Sequence, residues 1–268
     1  MPVKHLLDLS DENLFPFRDL TSRAKGGDPA DYFIAETRVV IQNAVQAGCR
    51  PISFLVAEKY IAGRDKELLD RFPDCMVYTA PDDVLEELTG YSLTRGILCA
   101  MARPPKKSVE ELIRASSLLV VLENVQDASN VGAILRSACG LGADAVILDR
   151  SCCDPLHRKA VRTSTGAVFK IPWALSDHCG NELAHQLNLE GFRTLAMALT
   201  PNAKPISEIF PEKSPKLALF FGSEGNGLKR ETITECSDAV IIPMKNGTDS
   251  LNVAASAAIA IWECAKGR

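Results

Sequence analysis

Residues 117–149 have the sequence SLLVVLENVQDASNVGAILRSACGLGADAVILD, and this stretch predicts the fold of the second half of the chain. The uninterrupted apolar run at 117–123 is typical of a strand that is buried on both faces of a parallel sheet. The spacing of the apolar residues predicts a helix near 131–140, and a second apolar strand follows at 144–149. Strand, helix and strand in this order indicate an α/β domain.

The same alternation continues to the end of the chain. Further strands are predicted at 193–199, 217–222 and 239–244, and further helices near 155–164, 180–190, 229–236 and 250–265. We therefore expect a sheet that is covered by helices on both faces, in a domain that occupies residues 117–268.

The first part of the chain predicts a smaller α/β unit at residues 31–103, preceded by an extension, residues 1–30, with little core of its own. A helical pattern runs from Asp31 to Ala47. After it, strands are predicted at 52–57, 75–79 and 96–101, and helices near 65–71 and 81–88. The paired prolines of RPPKKS (103–108) mark the boundary, so residues 104–116 are expected to act as a linker.

The bulk composition is that of a globular protein, with 46% hydrophobic and 24% charged residues among 268. No apolar run approaches the roughly 20 residues that span a bilayer, and the N-terminus lacks the features of a signal peptide. We therefore expect a cytoplasmic protein without a membrane segment. The nine cysteines have irregular spacing and no CxxC pair, so we expect reduced core thiols and no metal site.

The charge distribution is ambiguous about nucleic acid. A net charge of −4 argues mildly against nucleic-acid binding, but phosphate contacts need only a local basic patch. Such a run occurs at 150–170, where Arg158, Lys159 and Arg162 stand close together. From charge alone, a solvated helix face is the simpler interpretation.

Three loops at the predicted carboxyl ends of strands carry unusual polar residues, and ligands of open α/β sheets bind at such ends. The first loop, ENVQDASN (123–130), leads into a helix on which Arg136 points away from the apolar stripe. Ser129 or Asn130 is the expected N-cap of that helix. Taken alone, this is an ordinary cap followed by a surface arginine.

The second loop, GSEGNG (222–227), contains three glycines, which allow backbone to approach a ligand closely. It has neither the spacing of a phosphate-binding loop nor that of a dinucleotide-binding fingerprint. A flexible turn would explain the glycines, but Glu224 among them is an unusual residue for a hinge.

The third loop, IPMKNGTDSLNV (242–253), connects a buried strand to a very apolar final helix. Ser250 is expected to cap this helix, with Asn252 in its first turn. The small residues of the helix suit a close helix–helix contact, which makes it a candidate dimer face.

Together and in this order, the three loops resemble the motifs of the SpoU family of RNA ribose methyltransferases, in the SPOUT superfamily. The resemblance rests on N-x-G-x-x-x-R from Asn130 to Arg136, on GSEGNG, and on IPM followed by SLNVA (250–254). It covers about residues 117–265. More loosely, YFIAETRVV (32–40) and RGILCA (95–100) resemble the family's RNA substrate-binding domain, which is like a ribosomal protein.

The resemblance implies an enzyme that methylates a ribose 2′-hydroxyl in RNA, with S-adenosylmethionine as cofactor and ribosomal RNA as the expected substrate. It also implies a deep trefoil knot in the C-terminal SPOUT α/β domain and a homodimer. The cofactor-binding residues that it implies are Gly222, Gly227, Ile242, Met244 and Leu251.

For catalysis, the resemblance implies that Asn130, Arg136, Glu224, Ser250 and Asn252 surround one pocket. Arg136 would either activate the hydroxyl as a base or clamp the adjacent phosphate and the developing oxyanion. Both roles stay open, because a guanidinium normally remains protonated in proteins.

Directly after the first motif, Arg158, Lys159, Arg162 and Ser164 are then expected to follow the RNA backbone. Two other functions stay open: a tRNA ribose methyltransferase, and a non-catalytic RNA-binding or ribosome-assembly factor of the same fold. A nucleotide-binding enzyme of another kind is disfavoured, because both nucleotide fingerprints are absent.

Overall fold

The computed structural model describes residues 2–6, 9–18, 20, 31–63, 65–92, 96–178, 180–209 and 216–266. The chain divides into two compact units. The first unit contains Met1–Pro105 together with Leu156–Phe169, and the second contains Lys106–Pro155 and Lys170–Arg268.

The first unit is built on a mixed sheet. Its described strands are β1 (Val3–His5), β2 (Tyr32–Glu36), β3 (Pro51–Ala57), β4 (Met76–Ala80) and β5 (Ile97–Ala102). Their order is β1-β4-β3-β5-β2, in which β1, β4 and β3 are parallel, while β5 is antiparallel to both β3 and β2. The helices of the same stretch are α1 (Arg38–Gln46), α2 (Glu58–Ile61), α3 (Lys66–Asp70) and α4 (Asp82–Thr89). The predicted strands and helices between 52 and 101 are thereby confirmed.

The described part of residues 1–30 belongs to this core, so the expectation of a separate extension was wrong there. β1 pairs with β4, and a 3-10 helix at Glu12–Phe17 buries Leu14 and Phe17 completely. Leu6 and Leu20 join the same apolar cluster. Residues 21–30 lie outside the described residues.

The helix predicted from Asp31 begins later than expected. Residues 32–36 form β2, and α1 starts only at Arg38. Thr37 separates the two elements with φ 85° and ψ 146°, which is outside the helical and strand regions of L-residues. Its hydroxyl accepts a hydrogen bond from the N–H of Val40 at 3.4 Å and so caps α1.

Helix α7 (Arg158–Thr163) packs against β2 within the first unit, although the chain on both sides of its segment belongs to the second unit. Arg158 Nη1 donates to Oε2 of the buried Glu36 at 3.0 Å. The guanidinium of Arg158 lies 4.4 Å from the centre of the Tyr91 ring. These contacts explain why the unit boundaries differ from the predicted ones, which placed everything after residue 117 in one domain.

The second unit is built on a parallel sheet. Its described strands are β6 (Leu118–Leu122), β7 (Ala145–Asp149), β8 (Trp173–Ser176), β9 (Arg193–Met197), β10 (Lys204–Pro205), β11 (Leu217–Phe221) and β12 (Asp238–Ile241). Their order is β10-β12-β9-β11-β6-β7-β8, and all the described neighbours are parallel. The predicted apolar strands are confirmed, whereas the short strands β8 and β10 were not predicted.

Helices cover both faces of this sheet, as predicted. They are α5 (Val109–Ala115), α6 (Ala128–Leu141), α8 (Gly180–Leu189), α9 (Arg230–Glu235) and α10 (Val253–Ala265). Leu119 and Val121 of β6 share an apolar cluster with α5 and α8. The alternate residues Val120 and Leu122 point to the opposite face and are 0% exposed. α6 and α10 pack against each other.

Helix α5 differs from the linker that was predicted for residues 104–116. Ser108 caps it through a reciprocal pair of hydrogen bonds with Glu111, and Leu112 and Ile113 are buried in the second unit's core. The exposed connection is therefore limited to the residues before this cap.

No helix in the described part of the chain combines the length and apolar character that crossing a bilayer requires. Within the same residues, no group of three or more His, Cys, Asp or Glu side chains could hold a metal ion. Cys49, Cys99 and Cys236 are buried. Burial raises the pKa of the Cys236 thiol to about 12, so that this thiol stays protonated at neutral pH.

Candidate active site

A cavity of about 560 Å³ opens at the carboxyl ends of three neighbouring strands of the second unit. The last residues of β9, β11 and β12, which are Met197, Phe221 and Ile241, line it. Val253, at the start of α10, closes another side. Cavities of roughly 300–1,000 Å³ with mainly apolar walls are typical of small-molecule sites, and this edge of an α/β sheet is their usual place.

The glycine loop after β11 forms one wall of the cavity. Ser223 and Gly227 pair across it, with the N–H of Gly227 donating to the carbonyl oxygen of Ser223 at 2.8 Å. A Cβ on Gly222 would lie 2.0 Å from the backbone carbon of Gly227, so only glycine fits at that position. Gly227 has φ 65°, which glycine adopts without strain. Gly222 and Gly227 are therefore favoured by the tight fold of the loop, whereas a Cβ at Gly225 would meet nothing within 4 Å.

Helix α10 begins at the cavity with Asn252 as its N-cap. Oδ1 of Asn252 accepts hydrogen bonds from the N–H groups of Ala254 and Ala255 at 2.9 and 3.4 Å. The prediction that Ser250 caps this helix was wrong, because Asn252 supplies the capping oxygen two residues later. Ser250 lies instead in the cavity wall.

Asn130, Glu224 and Asn252 form a hydrogen-bonded triangle, called here the amide–carboxylate triangle. The Nδ2 atoms of Asn130 and Asn252 both donate to Glu224 Oε1, at 2.6 and 2.7 Å, and Asn252 Nδ2 also reaches Asn130 Oδ1 at 3.1 Å. Asn130 can take part because Asp127, and not Ser129 or Asn130 as predicted, caps α6. The triangle joins all three sequence motifs at one point and fixes the orientation of the carboxylate.

The five residues predicted to bind a cofactor all line the cavity: Gly222, Gly227, Ile242, Met244 and Leu251. Glu224, Ser250 and Asn252, from the predicted catalytic set, line it as well. Asn130 joins them through its bond to Glu224. Arg136 is exposed on the same helix as Asn130 and does not line the cavity. The chemical roles of these residues stay predictions.

Other residues of the cavity wall were not predicted from the sequence. Met197 and Leu199 come from the end of β9, which carries no unusual motif, and only the position of β9 between β11 and β12 brings them to the cavity. Asp249 also lines the cavity. It directly precedes SLNV in the third motif, and the polar character of that loop was a signal that could have indicated it.

Two buried carboxylates hold the neighbouring loops in place. Glu123, at the end of β6, is 1% exposed and accepts hydrogen bonds from the N–H of Lys229 at 2.9 Å and the hydroxyl of Thr232 at 2.6 Å. It thus ties the first motif to the chain that follows the glycine loop. Asp149, at the end of β7, accepts from the N–H of Asn124 at 3.1 Å.

The residues predicted to contact RNA divide into two groups. Arg158 is ion-paired with buried Glu36, and Ser164 is 1% exposed with its hydroxyl donating to a carbonyl of α7 at 2.9 Å. Both side chains are engaged inside the first unit, so the predicted RNA contact does not fit their positions. Lys159 is exposed, and the Arg162 side chain is 45% exposed although it lies 3.9 Å from Glu36.

Known proteins share both the sequence and the fold of this chain. A profile described as the SpoU rRNA methylase family matches residues 117–262. A protein of Mycobacterium tuberculosis named as a tRNA/rRNA methyltransferase is 36% identical over 267 residues, which cover 98% of this chain and 92% of that protein. A 23S rRNA (guanosine-2′-O-)-methyltransferase of Acinetobacter baylyi is 28% identical over 219 residues, which cover 78% of this chain and 88% of that protein.

A solved structure extends this likeness to the whole described chain. An rRNA methyltransferase from Sinorhizobium meliloti, determined with bound AdoMet, is similar with a TM-score of 0.82 and 23% sequence identity. The match covers 98% of this chain and 97% of that one. The predicted α/β fold class is thereby confirmed.

Proposed function

Because this chain belongs to the SpoU rRNA methylase family, we propose that it transfers a methyl group from S-adenosylmethionine to a ribose 2′-hydroxyl of RNA, with ribosomal RNA as the substrate. The observation that carries this proposal is the position of the amide–carboxylate triangle at the wall of a cofactor-sized cavity. In methyl transfer, the methyl donor and the hydroxyl nucleophile must be held next to each other, and the triangle borders the cavity in which the donor would lie.

The cavity fits S-adenosylmethionine in size and in chemistry. Gly222 and Gly227 leave their backbone close to the space, where peptide groups can hydrogen-bond the edge of an adenine. Ile242, Met244 and Leu251 supply apolar walls for the flat base. We propose that these five residues hold the cofactor.

When bound, S-adenosylmethionine would supply an electrophilic methyl carbon and a sulfur leaving group that keeps the electron pair of the carbon–sulfur bond. The chain must therefore hold the hydroxyl oxygen and stabilise its negative charge as the proton departs. Asn130 and Asn252 keep Glu224 in one orientation, and Glu224 would in turn position Arg136 or the target ribose, beside Ser250. Arg136, as a protonated guanidinium, would clamp the adjacent RNA phosphate, which would accept the proton of the hydroxyl, and would stabilise the oxyanion.

We also propose that RNA is bound by the exposed basic side chains of α7. Lys159 and Arg162 are exposed at the surface, whereas Arg158 and Ser164 have contacts within the first unit. Phosphate contacts by Lys and Arg supply much of the affinity of any RNA-binding surface. The likeness of the first unit to a ribosomal-protein-like substrate-binding domain stays a prediction.

A homodimer is part of the proposal. Ala255, Ile259 and Trp262 recur at helical spacing on α10 and are exposed, with Ile259 at 39% and Trp262 at 57%. An exposed apolar stripe of this kind is typical of a contact with another chain. The deep trefoil knot and the cytoplasmic location stay predictions.

Transfer of a labelled methyl group from S-adenosylmethionine to unmodified total RNA, followed by nucleoside analysis, tests the function. We expect a 2′-O-methylated nucleoside in ribosomal RNA. We expect Arg136→Ala to keep cofactor binding and to lose about 100-fold or more in rate, as loss of an oxyanion donor does elsewhere.

The other outcomes separate the alternatives. Label in transfer RNA alone would identify a tRNA ribose methyltransferase. Label on a base would contradict ribose methylation. A chain that binds RNA but neither binds nor uses the cofactor would be the non-catalytic RNA-binding factor of the same fold.

A further inference from the structure

The described residues that line the cavity include two carboxylates and no cationic side chain. Glu224 and Asp249 are the charged residues among the described side chains that line it, and Lys, Arg and His are absent from this set. Glu224 accepts hydrogen bonds from the neutral side-chain amides of Asn130 and Asn252. Asp249 is exposed at the wall, and within the described residues neither carboxylate has an ion-pair partner.

Uncompensated carboxylates beside an apolar wall favour a ligand with positive charge. S-adenosylmethionine carries a sulfonium cation, whereas its demethylated product, S-adenosylhomocysteine, has a neutral thioether at the same atom. The two ligands otherwise share the adenine, the ribose and the amino-acid end. The attraction of the cavity for positive charge therefore distinguishes them, in addition to any contact with the methyl group itself.

We propose that Glu224 and Asp249 make this cavity select the cationic cofactor over the neutral product, and that Asp249 is a specificity-determining residue for this choice. The inference rests on the proposed function, since it requires the cavity to be the cofactor site. Glu224 is also a member of the amide–carboxylate triangle, whereas Asp249 has no hydrogen bond to it. The charge of Asp249 can therefore be removed without disturbing the triangle.

Selectivity of this kind has a consequence for turnover. Once the methyl group has left, the sulfur is neutral and the attraction that held it in the cavity is lost. The product then dissociates more easily, and fresh cofactor competes well for the site even when product accumulates.

Isothermal titration calorimetry on the full chain without RNA tests the proposal. The ligands are S-adenosylmethionine, S-adenosylhomocysteine, and sinefungin, in which a protonated amine replaces the methyl sulfonium. We expect Asp249→Asn to lower the affinity for both cationic ligands by roughly three- to tenfold, because one partly solvated charge contact is lost. The affinity for the neutral product should not change. The preference of the unmodified chain for cationic ligands should also fall as salt is added.

Two further variants serve as controls. Asp249→Glu keeps the charge and should keep the preference for the cationic ligands. Asp74→Asn makes the same chemical change at an exposed turn outside the cavity and should alter no affinity.

Three results would overturn the inference. An equal loss of affinity for all three ligands in Asp249→Asn would indicate a steric role or a contact with the ammonium group that all three share. Unchanged affinities would show that the charge of Asp249 does not affect binding. Failure of the unmodified chain to bind any of the three would remove the cofactor site and, with it, the proposed function. The first two results leave the proposed function standing, so the two failures are distinguishable.

Discussion

Thr37 adopts φ 85° and ψ 146°, a conformation that glycine reaches easily and β-branched residues avoid. Thr37→Gly should relieve about 1–3 kcal/mol of strain. The variant should lose a few tenths of a kcal/mol of stability because the capping oxygen is removed. It should lose up to about 1 kcal/mol more because glycine makes the unfolded chain more flexible. We therefore expect the free energy of unfolding to rise by roughly 1 kcal/mol.

Equilibrium urea denaturation measures this change. The control is Thr37→Ala, which keeps the strained Cβ but removes the capping oxygen, and which should destabilise the chain by about 1 kcal/mol. A lower stability for Thr37→Gly than for the unmodified chain would contradict the argument from strain.

Asn252 has two functions that different atoms perform. Its Oδ1 caps α10, and its Nδ2 donates to Glu224 and Asn130. Asn252→Ser keeps a capping oxygen and loses the amide Nδ2 donor that contacts Glu224 and Asn130. We expect a stability within about 0.5 kcal/mol of the unmodified chain.

Methyl transfer by Asn252→Ser should fall by about ten- to a hundredfold, the value of a hydrogen bond to a charged group. Thermal unfolding and a steady-state methyl-transfer assay provide the two readouts. Asn252→Ala is the comparison, because it should lose both stability and activity. Full activity in Asn252→Ser would remove the triangle from the proposed chemistry.

At the scale of elements, the glycine loop at 222–227 offers a matched pair. A Cβ at Gly222 would collide with the backbone of Gly227, whereas one at Gly225 would meet nothing within 4 Å. Gly225→Ala should therefore keep the cofactor affinity within about twofold, because a substitution at an exposed position without a steric clash has little effect on the structure.

Gly222→Ala should weaken cofactor binding by about tenfold or more, because the loop must move away from the position that shapes the cavity. Calorimetric titration with S-adenosylmethionine measures both variants, and circular dichroism checks that each is folded. Equal affinities in the two variants would show that the loop geometry does not matter for binding.

The elements of the second unit could be predicted because their apolar runs are buried on both faces, which leaves a strong local signal. Val120 and Leu122 are as buried as Leu119 and Val121. The cavity lining could be predicted only from the three loops together, through their resemblance to the SpoU family, because each loop taken alone has an ordinary structural explanation. The cap of α6 was predicted less well, since Asp127, Ser129 and Asn130 are all good capping residues and only the fold chooses among them.

Other features have no local signal. The apolar residues of 32–36 fit a strand as well as a helix, and pairing with β5 decides the outcome. The bond from Arg158 to Glu36 joins residues that are 122 positions apart, so no window along the sequence could indicate it. The basic run at 158–162 therefore suggested a surface for RNA where the structure has, in part, an internal ion pair.

At the scale of the whole molecule, the proposed homodimer predicts that a charge on the exposed face of α10 lowers the molecular mass measured in solution. Trp262→Lys places a charge in the exposed stripe of α10 and should convert a dimer into a monomer. Leu189→Lys is the matched control, because Leu189 on α8 is also exposed, at 77%, and lies outside the stripe. Size-exclusion chromatography with light scattering measures both, and a dimeric Trp262→Lys variant would contradict the assignment of this face.

Because segment 156–169 belongs to the first unit, the polypeptide passes from one unit to the other at 105–106, at 155–156 and at 169–170. A gene fragment that stops at Pro105 would encode β2 and the buried Glu36 without the arginine that neutralises it. A fragment that starts at Lys106 would carry α7 with no sheet to cover. Exchange of the first unit between this protein and a relative should therefore succeed only when residues 156–169 are transplanted with it.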